Sequence, residues 1–164
     1  MKHAGWTSRG YLPHCDAALL IQHVTFATVG RGEGIAGHFG ERLLANDSAA
    51  SAVQDALLHF DGERYKLIAW CVMPNHVHVV LEQSERHPLS AVKHSWKSFT
   101  ANQINRIHNR RGAVWMREYF DRFMRDDHHL ATTIAYVERN PVAAGYVPRA
   151  EVWPWSSAAH RHAG

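Results

Sequence analysis

Cysteine is nearly absent. Cys15 and Cys71 are the two in 164 residues, too few for a disulfide scaffold and without CxxC spacing, so a reducing compartment suits the chain. Long apolar runs are missing too: nowhere do about 18 apolar residues follow one another, and residues 1–20 hold Lys2 and Arg9 but no stretch of signal-peptide length. Secretion and membrane spanning are therefore not expected, and a cytoplasmic, nucleoid-associated protein is. No segment recurs at intervals of about 20 to 50 residues and no low-complexity tract appears, which removes solenoids and linker-joined modules. Excess charge is also small, 18 Lys and Arg against 15 Asp and Glu. What the chain does have is a 46% apolar share and six tryptophans, enough for a core and unlike a disordered composition. Its length suits one domain over 1–164, with an N-terminal arm over 1–20 and a C-terminal tail over 141–164.

The positive charge is unevenly placed. Residues 1–82 hold six basic and eight acidic side chains, residues 83–164 twelve and seven. From Arg86 to Arg125 nine Lys or Arg meet Glu118 and Asp121 alone, a net +7. Such a stripe suits a phosphate-backbone partner, although a solvated face or an acidic protein would fit it as well.

Hydrophobic patterning alternates strands with helices. Residues 21–29 (IQHVTFATV) are β-branched and aromatic-rich, and a glycine-rich run over 30–40 ends them. That run lacks the GK[ST] ending of a phosphate-cradling loop and reads as a connection. Leu43, Leu44, Ala50, Val53, Ala56, Leu57 and Phe60 recur at helical intervals over 41–60, with Asp47 or Ser48 as an internal start. Residues 65–73 (YKLIAWCVM) and 76–82 (HVHVVLE) read as a hairpin around Pro74-Asn75. Leu89, Val92, Trp96, Phe99 and Ile107 form one helical stripe, which assigns Trp96 and Phe99 to the core. A short strand over 113–124 precedes a last helix that Asp126 or Asp127 caps, that faces Leu130, Ile134 and Val137 inward, and that Pro141 stops. The order β, α, β, β, α, β, α is an α+β fold, a split βαβ antiparallel sheet with an added C-terminal helix. Both crossover helices lie on one face of such a sheet, so the other face is bare unless the extra helix or a ligand covers it.

Side chains alternate along 76–82, so Val77, Val79 and Leu81 share the helix-covered face while His76, His78 and Val80 share the other. Two imidazoles two residues apart on a strand can reach one metal ion or one phosphate, although a chain with 14 histidines makes such pairs by chance. His160 and His162 repeat the spacing in the tail and read as chance. On the last helix Tyr136 and Asn140 are four residues apart and stack on one side. If that helix covers the bare face, a phenol and an amide would meet the two imidazoles. The plainer alternative is a core-edge tyrosine and a pre-proline asparagine that ends the helix.

Several blocks together resemble one family. They are WCVMPNHVHVVLE from Trp70, HSWKSFTANQINR from His94, GAVWMREYFDRFMRDDHHL from Gly112, AYVERNPVAAGYV followed by WPWSS, and GYLPHCDAALLIQHVTF from Gly10. In order and spacing they are similar to the REP-associated tyrosine transposases, single-tyrosine HUH transposases of insertion-sequence type. The resemblance implies a ferredoxin-like endonuclease that cuts and rejoins single-stranded DNA beside hairpin repeats, using a divalent metal, Mg²⁺ or Mn²⁺. It places the HUH histidines at His76 and His78, the nucleophile at Tyr136 and a third metal ligand at Asn140. Tyr119 is set aside, because the residue four positions on is Phe123 rather than an amide. The resemblance admits a monomer or a homodimer. On the basic stripe, Lys93, Lys97, Arg106, Arg110, Arg111, Arg117 and Arg122 are the expected DNA contacts. Two rivals stand beside this expectation: a non-cleaving DNA-binding protein derived from such a transposase, and an RNA-binding module, which would show aromatics where the hairpin carries His76, His78 and Val80.

Overall fold

The computed structural model describes residues 5–9, 12–16, 20–30 and 40–162; side chains are described from residue 20 on, apart from those of residues 118, 119 and 162. Two short strands, β1 (Gly5–Arg9) and β2 (Leu12–Asp16), pair antiparallel, so the expected N-terminal arm contains a hairpin. The central sheet follows. It comprises β3 (Leu20–Thr28), β4 (Tyr65–Met73), β5 (His76–Gln83) and β6 (Trp115–Phe123) in the order β4-β5-β3-β6, antiparallel throughout. Helices α1 (Asp47–His59) and α2 (Leu89–Ile107) are its crossovers, α3 (Asp127–Ala143) follows β6, and a short α4 (Ser157–His162) ends the description. This is the expected split βαβ order. No described helix is long and apolar enough to cross a membrane.

Two apolar clusters sandwich the sheet. Phe26, Val77, Val79 and Leu81 pack with Val53, Leu57, Val92, Trp96 and Ile104 from α1 and α2. On the other face Ile21, Val80, Cys71 and Met73 pack with Leu130 and Val137 of α3. The added helix thus covers the face that the split βαβ order leaves bare. An irregularity between Leu67 and Ala69 adds a residue to β4. It shifts the alternation, so Tyr65 and Leu67 join Trp70 and Val72 in the first cluster while Ile68, Ala69 and Cys71 face the second.

Local chemistry sets the helix ends. Asn46 accepts a hydrogen bond from the Ala49 amide at 3.1 Å and starts α1; Asp126 accepts one from His129 at 2.7 Å and starts α3. Pro141 does not stop α3. The helix runs on to Ala143, losing one backbone donor at Pro141, and ends where Gly145 takes φ 81°. There Gly145 N–H bonds Val142 O at 3.0 Å and Tyr146 N–H bonds Pro141 O at 2.9 Å, a Schellman closure that only glycine adopts without strain. The α2 stripe also differs from its expected course. Leu89, Val92, Lys93, Trp96, Thr100 and Ile104 are buried, whereas Phe99 is 57% exposed. At about 100° per residue Phe99 falls some 60° behind Trp96 and Thr100 some 40° ahead, and the buried arc continues through Thr100. Thr100 is tolerated there because its hydroxyl donates to Trp96 O at 2.7 Å and accepts from Trp115 Nε1 at 3.0 Å.

The stretch expected as a tail is packed. Val72 N–H bonds Trp155 O and Trp153 Nε1 bonds Val72 O, each at 2.9 Å, so residues 153–157 cover the outer edge of β4. Ser157 Oγ accepts the Trp70 N–H at 3.0 Å and donates to Glu138 of α3 at 2.6 Å, while Arg161 pairs with the same carboxylate. His160 packs its ring against Trp70, so a structural contact accounts for it.

Candidate active site

Strand register brings the histidines to α3. Thr25 of β3 and Cys71 of β4 flank His78, and Ala27 and Met73 flank His76. Val137, Leu130 and Pro141 hold α3 down, which leaves Tyr136 and Asn140 on the flank over β5 and β3. Ring centroids separate His76 from His78 by 5.0 Å and His78 from Tyr136 by 5.6 Å. Asn140, one turn after Tyr136, brings Nδ2 to 3.4 Å from His78 Nε2 and also hydrogen-bonds His76. The four residues that the sequence singles out are therefore together. His78 is 4% exposed, yet Tyr136 is 57% exposed, so its phenol can meet a large substrate.

The hydrogen bonds set each tautomer. Asn75 donates Nδ2–H to Gly40 O at 3.3 Å, which turns its Oδ1 toward His76 Nδ1 at 2.9 Å. An amide oxygen can only accept, so His76 carries its proton on Nδ1 and its lone pair on Nε2. The Asn140 amide donates to His78 Nε2, which makes that nitrogen the acceptor; Nδ1–H of His78 is then shared with His23 Nε2 at 3.0 Å and Thr25 Oγ1 at 3.1 Å. Burial keeps the rings neutral. His78 is pushed down to about 3, first by burial and then by the charges of His76 and His23. Burial lowers His76 to about 4 against the opposing Asn140 bond, and it lowers His23 to about 4 with help from Arg122 and His129.

Two neutral imidazoles with Nε2 lone pairs, beside an amide that presents its oxygen when turned end for end, form a donor set that fits a divalent cation. Among the described residues no group of three or more His, Cys, Asp and Glu is arranged to hold a metal, so the amide would be the third ligand. His23 and Thr25 escaped the sequence reading. The signal was available, since alternation along 21–29 puts Ile21, His23 and Thr25 on one face.

The basic stripe divides on folding. Lys93, expected as an exposed DNA contact, is instead 4% exposed and lies 3.2 Å from Asp121. Lys97 is half-buried; its ammonium donates to Met116 O at 2.9 Å, and burial, then Lys93, lowers its pKa. Arg110 braces the turn after α2 through Asn105 Oδ1 at 2.7 Å and Ala113 O at 3.1 Å. Arg106, Arg111, Arg117 and Arg122 are exposed. Lys97 and Arg117 line a groove of about 460 Å³ between α2 and β6 with His94 and Ser98, whereas Arg122 pairs in register with His23, beside the candidate site. The Tyr119 side chain and residues 10 and 11 of the N-terminal block lie outside the described residues.

Known proteins share this architecture. A REP-associated tyrosine transposase of Haemophilus influenzae is 29% identical over 103 residues, which cover 57% of this chain and 58% of that relative, so the match spans little more than half of each. A solved structure of a REP-associated tyrosine transposase bound to a REP hairpin superposes with a TM-score of 0.65 at 19% identity, covering 87% of this chain and 78% of the other. At that identity it shows the fold alone, and the fold is the same. The family model described as "Transposase IS200 like" matches residues 20–140, the span from β3 through Asn140. The chain belongs to the IS200-like transposase family.

Proposed function

We propose that this chain is a transposase-like endonuclease and strand transferase that cleaves and rejoins single-stranded DNA near hairpin repeats. The observation that carries the proposal is the meeting of Tyr136 and Asn140 with His76 and His78 across the α3–β5 contact. Tyr136 gives its phenolic proton to solvent and attacks phosphorus; the bond to the 3′ oxygen breaks, that oxygen takes a proton from solvent, and a 5′-phosphotyrosine and a free 3′-OH remain. The new ester retains the phosphodiester's energy, so a second 3′-OH can displace Tyr136 and join another strand. His76, His78 and Asn140 would hold Mg²⁺ or Mn²⁺, which when bound supplies positive charge for the phosphate oxygens. His23 and Thr25 orient His78, and Asn75 orients His76.

Exposed Arg106, Arg111, Arg117 and Arg122 supply phosphate contacts, with Lys97 and Arg110 at the margins of that surface. Lys93 contributes by holding α2 to β6 through Asp121. The hairpin partner is supported by the REP hairpin in the similar solved structure. The contact of α3 with β5 of the same chain supports a Tyr136 that acts in cis, in a monomer or a homodimer. The test is incubation with end-labelled hairpin DNA carrying a single-stranded flank, with Mn²⁺, followed by denaturing electrophoresis. A covalent adduct absent from Tyr136→Phe is expected. Binding without any adduct would favour the non-cleaving rival, and an adduct persisting in Tyr136→Phe would move the nucleophile elsewhere.

A further inference from the structure

The site face of the sheet continues past the histidines to its last strand. Cross-strand register lines up Cys71, His78, Thr25 and Phe120 on β4, β5, β3 and β6, and the neighbouring row sets Arg122 beside His23. Strands lie about 4.8 Å apart, so Phe120 stands roughly two strand spacings, near 10 Å, from His78. Helix α3 packs on β4, β5 and the N-terminal β2, and β1 packs on β3, while Phe120 on β6 projects clear of them. Phe120 is accordingly 75% exposed, in a position where an edge strand ordinarily carries a polar side chain. Its surroundings are chemically specific. Arg122 follows two residues later on the same face, and the ring of Tyr136 lies 6.3 Å from that of His23, the register partner of Arg122. Phe123, the other exposed aromatic among the described side chains of β6, is three residues on and so faces the α2 side. A single ring with a guanidinium two residues along its strand is too small for a protein-docking patch. It matches one unpaired nucleotide, with a flat base for the ring and a phosphate for the cation.

We propose that Phe120 is a stacking platform for an unpaired base of single-stranded DNA one or two nucleotides from the phosphate that Tyr136 attacks, with Arg122 holding the intervening phosphate. The inference rests on the reading of the chain as a single-strand DNA enzyme and adds how the strand is gripped. A duplex, whose bases are already stacked on one another, could not use this ring, so the platform selects single strands and sets their path across β6 to Tyr136.

The experiment uses full-length protein and hairpin oligonucleotides with 2-aminopurine moved one position at a time through the single-stranded flank. With Tyr136→Phe protein, which preserves the DNA, fluorescence should change sharply at one position. Phe120→Leu in that background should abolish the change and weaken binding roughly tenfold, Phe120→Trp should preserve both, and Phe123→Leu on the opposite face should leave both unaltered. Because the ring is exposed, Phe120→Leu should melt with its parent, so weaker binding would not reflect unfolding. If Phe120→Leu matches its parent in signal and affinity while the unmutated chain still forms its adduct, the platform is wrong and the enzyme reading stands. Failure of the unmutated chain to bind or label any single-stranded flank overturns both.

Discussion

Glu138 offers a quantitative test of what keeps α3 over the sheet. It is 8% exposed, lies on the flank of α3 away from Asn140, and joins that helix to α4 through Ser157 Oγ at 2.6 Å and through Arg161. Replacing it by Gln preserves volume but removes the charge. Two losses follow. A hydrogen bond to a charged group contributes about 1.5–3 kcal/mol against about 1 for a neutral one, so the Ser157 contact should weaken by about 1 kcal/mol. Arg161 is 55% exposed, and an ion pair that wet contributes at most about 1 kcal/mol. Glu138→Gln should therefore cost about 1–2 kcal/mol, which for a chain of this size lowers Tm by about 2–8 °C. Ser157→Ala should cost more, about 2–3 kcal/mol, because it deprives both the Trp70 amide and the carboxylate of a partner. Urea titrations of the two single variants and the double variant measure the coupling. If both singles unfold within about 0.3 kcal/mol of the parent, α4 does not secure α3, and the helix is held by Leu130, Val137 and Pro141 alone.

Three further outcomes can be checked with standard assays. Ile104→Ala, at a fully buried position of α2, should cost about 2–4 kcal/mol in urea unfolding, whereas Phe99→Ala should cost under about 0.5, which reverses the ranking expected from a stripe through Phe99. The Cys71 thiol is fully buried, and that burial, with Glu138 second, raises its pKa well above the usual thiol range; in a Cys15→Ser background a disulfide reagent should react only after urea is added, and rapid native labelling would contradict the packing of β4 against α3. If Arg122 contacts phosphate, Arg122→Ala should reduce the slope of log affinity against log salt by about one, whereas Lys93→Met, which removes a buried cation already paired with Asp121, should leave that slope unchanged.

The strands and the HxH pair were legible in the sequence because their information is local. Period two over 76–82 assigns His76 and His78 to one face without knowledge of any partner, and Tyr136 and Asn140 share a helix side by spacing alone. Features that depend on a second element were harder to read. The extra residue in β4 reverses which side chains face α1, and composition does not mark it. Phe99 and Lys93 exchanged their expected environments because a helix of 19 residues drifts against any fixed repeat and because Asp121, far along the chain, makes a buried lysine tolerable. Pro141 carried a stop signal that Gly145, four residues on, overrode.

The stretch after Pro141 changes how the candidate site is assembled. Imidazoles on β5 form no site alone, since Tyr136 and Asn140 belong to a helix that follows the last sheet strand and could in principle lie anywhere the loop allows. Val137, Leu130 and Pro141 fix its depth. Its lateral position is set from beyond its own C-terminus, where the closure at Gly145 turns the chain back, Trp153 and Trp155 pair with Val72, and Ser157 and Arg161 grip Glu138. Glu138 lies between Tyr136 and Asn140 in sequence but points to the opposite flank, so each turn of α3 that presents a candidate reactive group is anchored on its reverse side. Residues 144–161, which carry none of the proposed chemistry, therefore govern the distance from His78 to Tyr136. Substitutions there should alter the proposed DNA cleavage through the placement of α3 while leaving the candidate metal donors themselves intact.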